Sequence, residues 1–460
     1  MLRLLTYGFH RARRPLPAAN TGPNLARTLA RTPPAAPPAG PLGLGSTLAL
    51  ALFFLLAGST SPAPASAAPP QRSPWAASQA EDLVISLATF SPGVEIHTYW
   101  GHDAMVVSDP RRGIEIMYNF GTFDVGPDML ANYLQGQLTF WVSRTPVMPV
   151  YQSYEVENRD VRVRDLNLTP GQARKLADRL EWYAQPDNRR YLYHHYVNNC
   201  TTKLRDLLDE ALDGAFHAQY TKPARLNFRH HTMRYTERLP PLEWLLILAM
   251  NDQQERPLTA WDEGFLPDEL ERMVEETTVM RNGKAVPLVR ETRDIYLAER
   301  RAVPETPAVF WPYCLGTGLL LGLIALVLGE GTRRKSRAAR VGFGLYHFLI
   351  GVAFGLPSLI IFLLLFTDWT VTHHNENLWL ANPLLTATLL LGLPIAAGSR
   401  RALRWMRFCF VWLTLGGVLA VLLKALPMFD QDNWAVLTLL LPLHGAFLFA
   451  HQRLRPTRST

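Results

Sequence analysis

The sequence predicts an exported α+β domain followed by an all-α transmembrane domain of five helices, and three observations carry that prediction. Five apolar stretches fill the last third of the chain: Val309–Gly329, Gly342–Phe366, Trp379–Ala397, Phe408–Leu426 and Trp434–Ala450. Most lie near the ~20 residues that cross a bilayer. Their connections alternate in charge. Arg333, Arg334, Lys335, Arg337 and Arg340 follow the first stretch, Arg400, Arg401, Arg404 and Arg407 the third, and Arg453, Arg455 and Arg458 the fifth. Asp368–Leu378 and Met428–Asn433, after the second and fourth, hold no Lys or Arg. By the positive-inside rule the middle of the chain then lies outside the cytoplasm and the tail, 453–460, inside. Third, the middle mixes short strand-like runs with amphipathic helical spacing.

Residues 1–67 carry six Arg and no acid, and Leu42–Ala57 is an apolar run ahead of Ala65-Ser66-Ala67. This is the pattern of a secretory signal with a long basic leader. Residues 75–307 form the expected soluble domain and 308–452 the membrane domain. Within the first, Ala104–Val107 and Ile114–Asn119 read as strands joined by the turn sequence Ser108–Gly113. Pairing Val107 with Ile114 sets His102 opposite Asn119 on one face. Thr169-Pro170 opens a helix over 171–184. Asn282-Gly283 marks a hairpin over 279–288.

The formal charge of +7 comes from the leader and the membrane connections, since 68–307 is net acidic. A nucleic-acid surface is therefore not expected. Of three cysteines, Cys314 and Cys409 fall in apolar stretches, leaving Cys200 alone in the soluble part. Leu204, Leu207, Leu208 and Leu212 recur at helical spacing behind it, and Asn198 or Asn199 supplies a cap. A thiol at a helix start faces unpaired N–H groups, which favour the thiolate. Such a nucleophile needs a base and a group to orient it. Among seven histidines (His97, His102, His194, His195, His217, His230 and His231), His102 follows Gly101 at a strand start, with Asn119 beside it. His194 and His195 are the rival base, although an aromatic packing segment explains them as well. On the membrane side, His373, His374, Asn375, Asn377 and Asn382 are candidates to face substrate or lipid, against the plainer role of polar helix caps. No metal and no cofactor are expected.

Five groups of residues then occur in order: Phe90-Ser91-Pro92-Gly93, Trp100-Gly101-His102-Asp103-Ala104, Tyr118–Asp124, Gly136 with Phe140, and Asn199-Cys200-Thr201-Thr202. Asp262–Pro267, His374–Trp379 and Asn382-Pro383-Leu384 follow. Together they resemble the Bacteroides-type lipoprotein N-acyltransferase (Lnb) family over roughly residues 80–450. The resemblance implies a permuted papain-like thiol domain of the NlpC and lecithin:retinol acyltransferase type. Cys200 would be its nucleophile, His102 its base and Asn119 the orienting residue, with Tyr118 or Glu115 as alternatives. Thr201 would lend a backbone N–H to the oxyanion. It further implies a multi-pass protein of the bacterial inner membrane, with a phospholipid acyl donor and a diacylglyceryl lipoprotein acceptor. Phe90 departs from the pattern, standing where relatives carry a cysteine. A cell-envelope cysteine peptidase or amidase, or a non-catalytic membrane scaffold, is the alternative reading.

Overall fold

The computed structural model describes residues 72–454 apart from Val125, Pro127 and Asp128, so the expected leader and signal at 1–67 lie outside the described residues. Seven antiparallel strands make one sheet, β1 (Val84–Phe90), β2 (His102–Asp109), β3 (Ile114–Phe123), β4 (Thr139–Pro146), β5 (Val161–Leu166), β6 (Arg190–Leu192) and β9 (Val289–Tyr296), in the order β6-β4-β3-β2-β1-β5-β9. A separate hairpin, β7 (Thr278–Arg281) and β8 (Lys284–Pro287), turns at Asn282 and Gly283, both at positive φ, as the sequence predicts.

The helices of six residues or more between the strands are α1 (Met129–Leu134), α2 (Val147–Val156), α3 (Pro170–Ala184), α4 (Cys200–Ala211), α5 (Phe228–Thr236), α6 (Pro240–Ala249) and α7 (Pro267–Glu276). β1 and β2 are buried on both faces, so nearly every position is apolar or small rather than alternating. One face takes Leu176 and Leu180 of α3, Leu204, Leu207 and Leu208 of α4, and Leu270 and Met273 of α7. The other takes Val147 and Tyr151 of α2 against Phe90, Ala104 and Val106. Thr169 caps α3 through its hydroxyl and the Gln172 N–H, 3.3 Å.

The β2–β3 register differs from expectation by two residues: Val107 pairs with Ile116, and Asp109 with Ile114. The turn is tighter than the sequence implied. Asp109 accepts the Arg112 N–H through both its carbonyl and its carboxylate, and Gly113 takes φ +62°. A slip of two leaves every side chain on its expected face. His102 and Asn119 therefore still share one.

From Trp311 the chain is helical: α8 (Trp311–Arg333), α9 (Arg337–Leu364), α10 (Ala387–Ala396), α11 (Arg400–Leu423) and α12 (Trp434–Arg453). Four of these, all but α10, are long and apolar enough to cross a membrane. The third apolar stretch forms the shorter apolar helix α10. The third stretch is helical only over 387–396, because Asn375 and Asn382 cap two successive 3-10 turns ahead of it and Pro383 lacks a donor. Close packing uses small residues. A methyl at Gly318 would meet Leu439, and one at Gly329 would meet Ala450, so α8 and α12 run parallel with backbones near contact. Glu330 pairs with Arg333 and Arg334, and Arg453 lies 3.8 Å from it, which gathers these basic groups at one end of the bundle.

The other end meets the folded domain through α6. Asn375 Nδ2 donates to Leu248 O and Ala249 O, and Asn377 Nδ2 to Ile247 O and Leu248 O, all within 3.0 Å. They satisfy carbonyls that a helix C-terminus leaves unpaired. Gln431 Nε2 adds a bond to Met250 O, 2.9 Å, and Trp244 packs edge-on against Phe354.

Candidate active site

α4 begins at Cys200 because Asn199 caps it twice over. Asn199 Oδ1 accepts the Thr202 N–H at 2.8 Å, and the Thr202 hydroxyl accepts the Asn199 N–H at 2.8 Å. The Asn199 amide also donates to His195 O and to Phe265 O, at 2.7 and 2.9 Å. The motif Asp262–Pro267 thus fixes the helix start on which Cys200 sits.

The β2–β3 ladder ends at Met105 and Tyr118, so the first residues of β2 keep only β1 as a neighbour. The Cys200 sulfur fills the opening. The backbone groups of Asp103, Thr201 and Cys200 itself act to lower its pKa, and Thr201 Oγ1 lies 3.8 Å from the sulfur. These groups favour a thiolate. Desolvation outweighs them, however, and the Cys200 pKa is raised, not lowered as its place at a helix start implied. The resting group is a thiol that needs a base.

His102 stands one residue before that contact. Its Nε2 lies 2.9 Å from Asn119 Oδ1, which also accepts the Gly121 N–H at 2.6 Å. With Oδ1 turned to two donors, Nε2 carries the ring proton and Nδ1 keeps its lone pair. Continued past Met105, the register sets His102 opposite Gly121. A methyl there would fall 2.4 Å from His102 Cε1, so only glycine leaves room for the ring. Phe90 stacks on the imidazole at 6.1 Å between centroids and on Tyr154 at 3.8 Å. Desolvation lowers the His102 pKa, with the Arg159 charge adding to it against Asp103 and Asn119, so the ring is neutral at pH 7.

The two alternatives to Asn119 point elsewhere. Tyr118 donates to Glu181 Oε2, 2.9 Å, and accepts from Trp75 Nε1, 2.7 Å, on the opposite face of the sheet. Glu115 pairs across from Ser108 near the turn. His195 is enclosed by Trp100, Tyr196 and Phe265, and this burial depresses its pKa to about 3.

Two features escaped sequence reasoning. One is Gly121, for which a glycine inside a strand pattern was the available signal. The other is Asp103, fully buried with neither carboxylate oxygen hydrogen-bonded. Desolvation, and then the nearby Cys200, push its pKa well above the usual range.

The membrane-side candidates divide. Asn375 and Asn377 are buried and spend their amides as clamps on the end of α6. Asn382 Oδ1 caps its 3-10 turn through the Leu384 N–H, 3.0 Å. His373 Nε2 lies 3.0 Å from Thr367 O. Only His374 of the five is exposed, at φ +54°.

Residues 71–237 match one family model, described as the Lnb N-terminal periplasmic domain. This part of the chain belongs to the Lnb family. The Lnb match holds His102, Asn119 and Cys200, and ends before α6, the hairpin, β9 and the membrane helices. No curated protein and no solved structure matches the chain.

Proposed function

We propose that this Lnb-family protein is a membrane-bound cysteine acyltransferase that N-acylates lipoproteins through an acyl-Cys200 thioester. One observation carries the reading. The Cys200 thiol rests on the backbone of the residue after His102, while the far nitrogen of that imidazole is held by Asn119. A neutral ring with no hydrogen bond at Nδ1 among the described residues, one residue along the strand from the backbone beside an un-ionised thiol, is a resting arrangement that general-base catalysis uses.

His102 Nδ1 takes the sulfur proton as Sγ bonds to the carbonyl carbon of a phospholipid ester. Negative charge passes to the carbonyl oxygen, where the N–H groups that ring Cys200, Thr201 among them, stabilise it. The carbon–oxygen bond to the glycerol breaks and His102 returns its proton to that oxygen, releasing a lysolipid. The amine of a diacylglyceryl lipoprotein then attacks the thioester. It loses a proton through His102 to the departing sulfur, leaving an amide and a free thiol. A permuted papain-like arrangement, with the His strand before the Cys helix, is the fold this reading implies.

The basic ends of α8 and α12, gathered opposite the folded domain, support an inner-membrane protein whose domain faces the periplasm and whose C-terminus is cytoplasmic. The direct test compares lipoprotein N-termini by mass spectrometry in cells with the wild-type protein or Cys200→Ser. Triacylated termini should require the wild type. Equal triacylation in both strains removes the proposal.

A further inference from the structure

Between Phe90 and His102 the chain makes a closed loop. Gly93 N–H donates to Thr98 O at 2.9 Å and Thr98 N–H to Glu95 O at 2.8 Å, and a methyl at Gly93 would collide with Thr98 Oγ1 at 2.2 Å. The tip this builds, Val94–His97, is fully exposed and carries two large apolar side chains, Val94 at 81% and Ile96 at 54%. Glu95 and His97 alternate with them, 3.5 Å apart. Water gives such side chains nothing to pack against.

Behind the tip lies a concentration of positive charge. Arg238 donates to Gly93 O, Arg300 to Pro92 O and to Ser91 Oγ, and Arg159 Nε to Ser91 O at 2.7 Å. Arg159 has Glu157 at 3.2 Å, but among the described residues neither Arg238 nor Arg300 has a carboxylate within 4.0 Å. Desolvation lowers the Arg300 pKa, and the charges of Arg159 and Arg238 lower it further against Asp160. The cluster therefore gains from an added anion.

The place of this surface says which anion. Ser91 follows Phe90, whose ring lies on His102, so the loop borders the reactive site. Arg238 and exposed Leu239 lead into α6, the helix that meets the membrane helices through Trp244 and Phe354. Apolar tips with arginines just behind them match the layering of acyl chains beneath phosphates at a bilayer surface.

We propose that this loop and the start of α6 receive an anionic phospholipid from the bilayer, Val94 and Ile96 entering the acyl layer while Arg238 and Arg300 face the phosphodiester. The inference rests on the acyltransferase reading, for which it names the class of donor, and the test separates the two. Full-length protein with Ile96→p-benzoylphenylalanine is placed in nanodiscs of phosphatidylglycerol or of phosphatidylcholine and irradiated, and the lipid adduct is found by mass spectrometry. No turnover is needed. The adduct should favour phosphatidylglycerol and fall about five-fold for each of Arg238→Gln and Arg300→Gln. Arg→Lys at either position should restore most of it, and millimolar inorganic phosphate should leave it unchanged. An absent adduct, or equal adducts from both lipids that ignore the arginines, overturns the proposal even if Cys200 is acylated. Suppression by free phosphate also overturns it, by making the site one for a soluble anion.

Discussion

His102, Asn119 and Gly121 form the smallest unit on which the account depends. The ring sits where a ladder partner's side chain belongs, and it fits because residue 121 has none. Gly121→Ala should leave a folded protein with an unchanged circular dichroism spectrum. Its methyl displaces the ring from Asn119, and a shift of about 1 Å in a reacting group costs on the order of 100-fold in rate. Wild-type rates in that variant would show that the ring is placed by something else. Asp103 gives a second expectation. Its pKa is raised on folding, so its burial costs nothing below the unfolded carboxylate pKa and costs more as pH rises. Asp103→Asn should therefore stabilise the protein at neutral and higher pH, with a gain that shrinks as pH falls toward the unfolded carboxylate pKa. A gain independent of pH, measured by thermal unfolding, contradicts this origin. Cys200 and His102 stood out in the sequence through their neighbours, a helix start and a strand start. Asp103 did not, since nothing in a single sequence marks a carboxylate whose partners are absent.

At the scale of elements, α6 joins the two halves. Its apolar run offers three final carbonyls to a loop more than a hundred residues further on, and Asn375 and Asn377 take them. Asn377→Leu removes two of those bonds at a buried position, leaving Leu248 O to Asn375 and Ile247 O to Arg229, and should destabilise the protein by about 1–3 kcal/mol. The check is thermal unfolding in detergent. A change within error would mean that water or a neighbour replaces the amide. The density of His and Asn over 373–377 was visible in the sequence, yet its meaning was not, because its partners are backbone carbonyls that any sequence possesses. The hairpin at Asn282-Gly283 and the cap at Thr169 were legible for the opposite reason, since each is decided by residues within four positions. The β2–β3 register fell between these cases: the face was right because the slip was even, and the partner wrong because a side chain tightened the turn.

For the molecule as a whole, hydropathy and charge located the change from mixed α/β structure to helices near residue 309, and the described chain turns helical at Trp311. Four of the five apolar stretches give long helices, and the third gives a shorter one. An apolar stretch broken by Asn382-Pro383 reads as a span in a hydropathy window, but it folds as turns followed by ten helical residues. Four long helices, a short one and a domain clamped at the end away from their basic connections make a membrane platform for the Cys200 domain, and the account asks that thiol to carry an acyl chain. Intact-mass analysis of the purified full-length protein after incubation with phospholipid reads this directly. The account predicts a fatty-acyl adduct on the wild type that hydroxylamine removes and that Cys200→Ala lacks. An unmodified wild type, or an adduct that persists without Cys200, contradicts it.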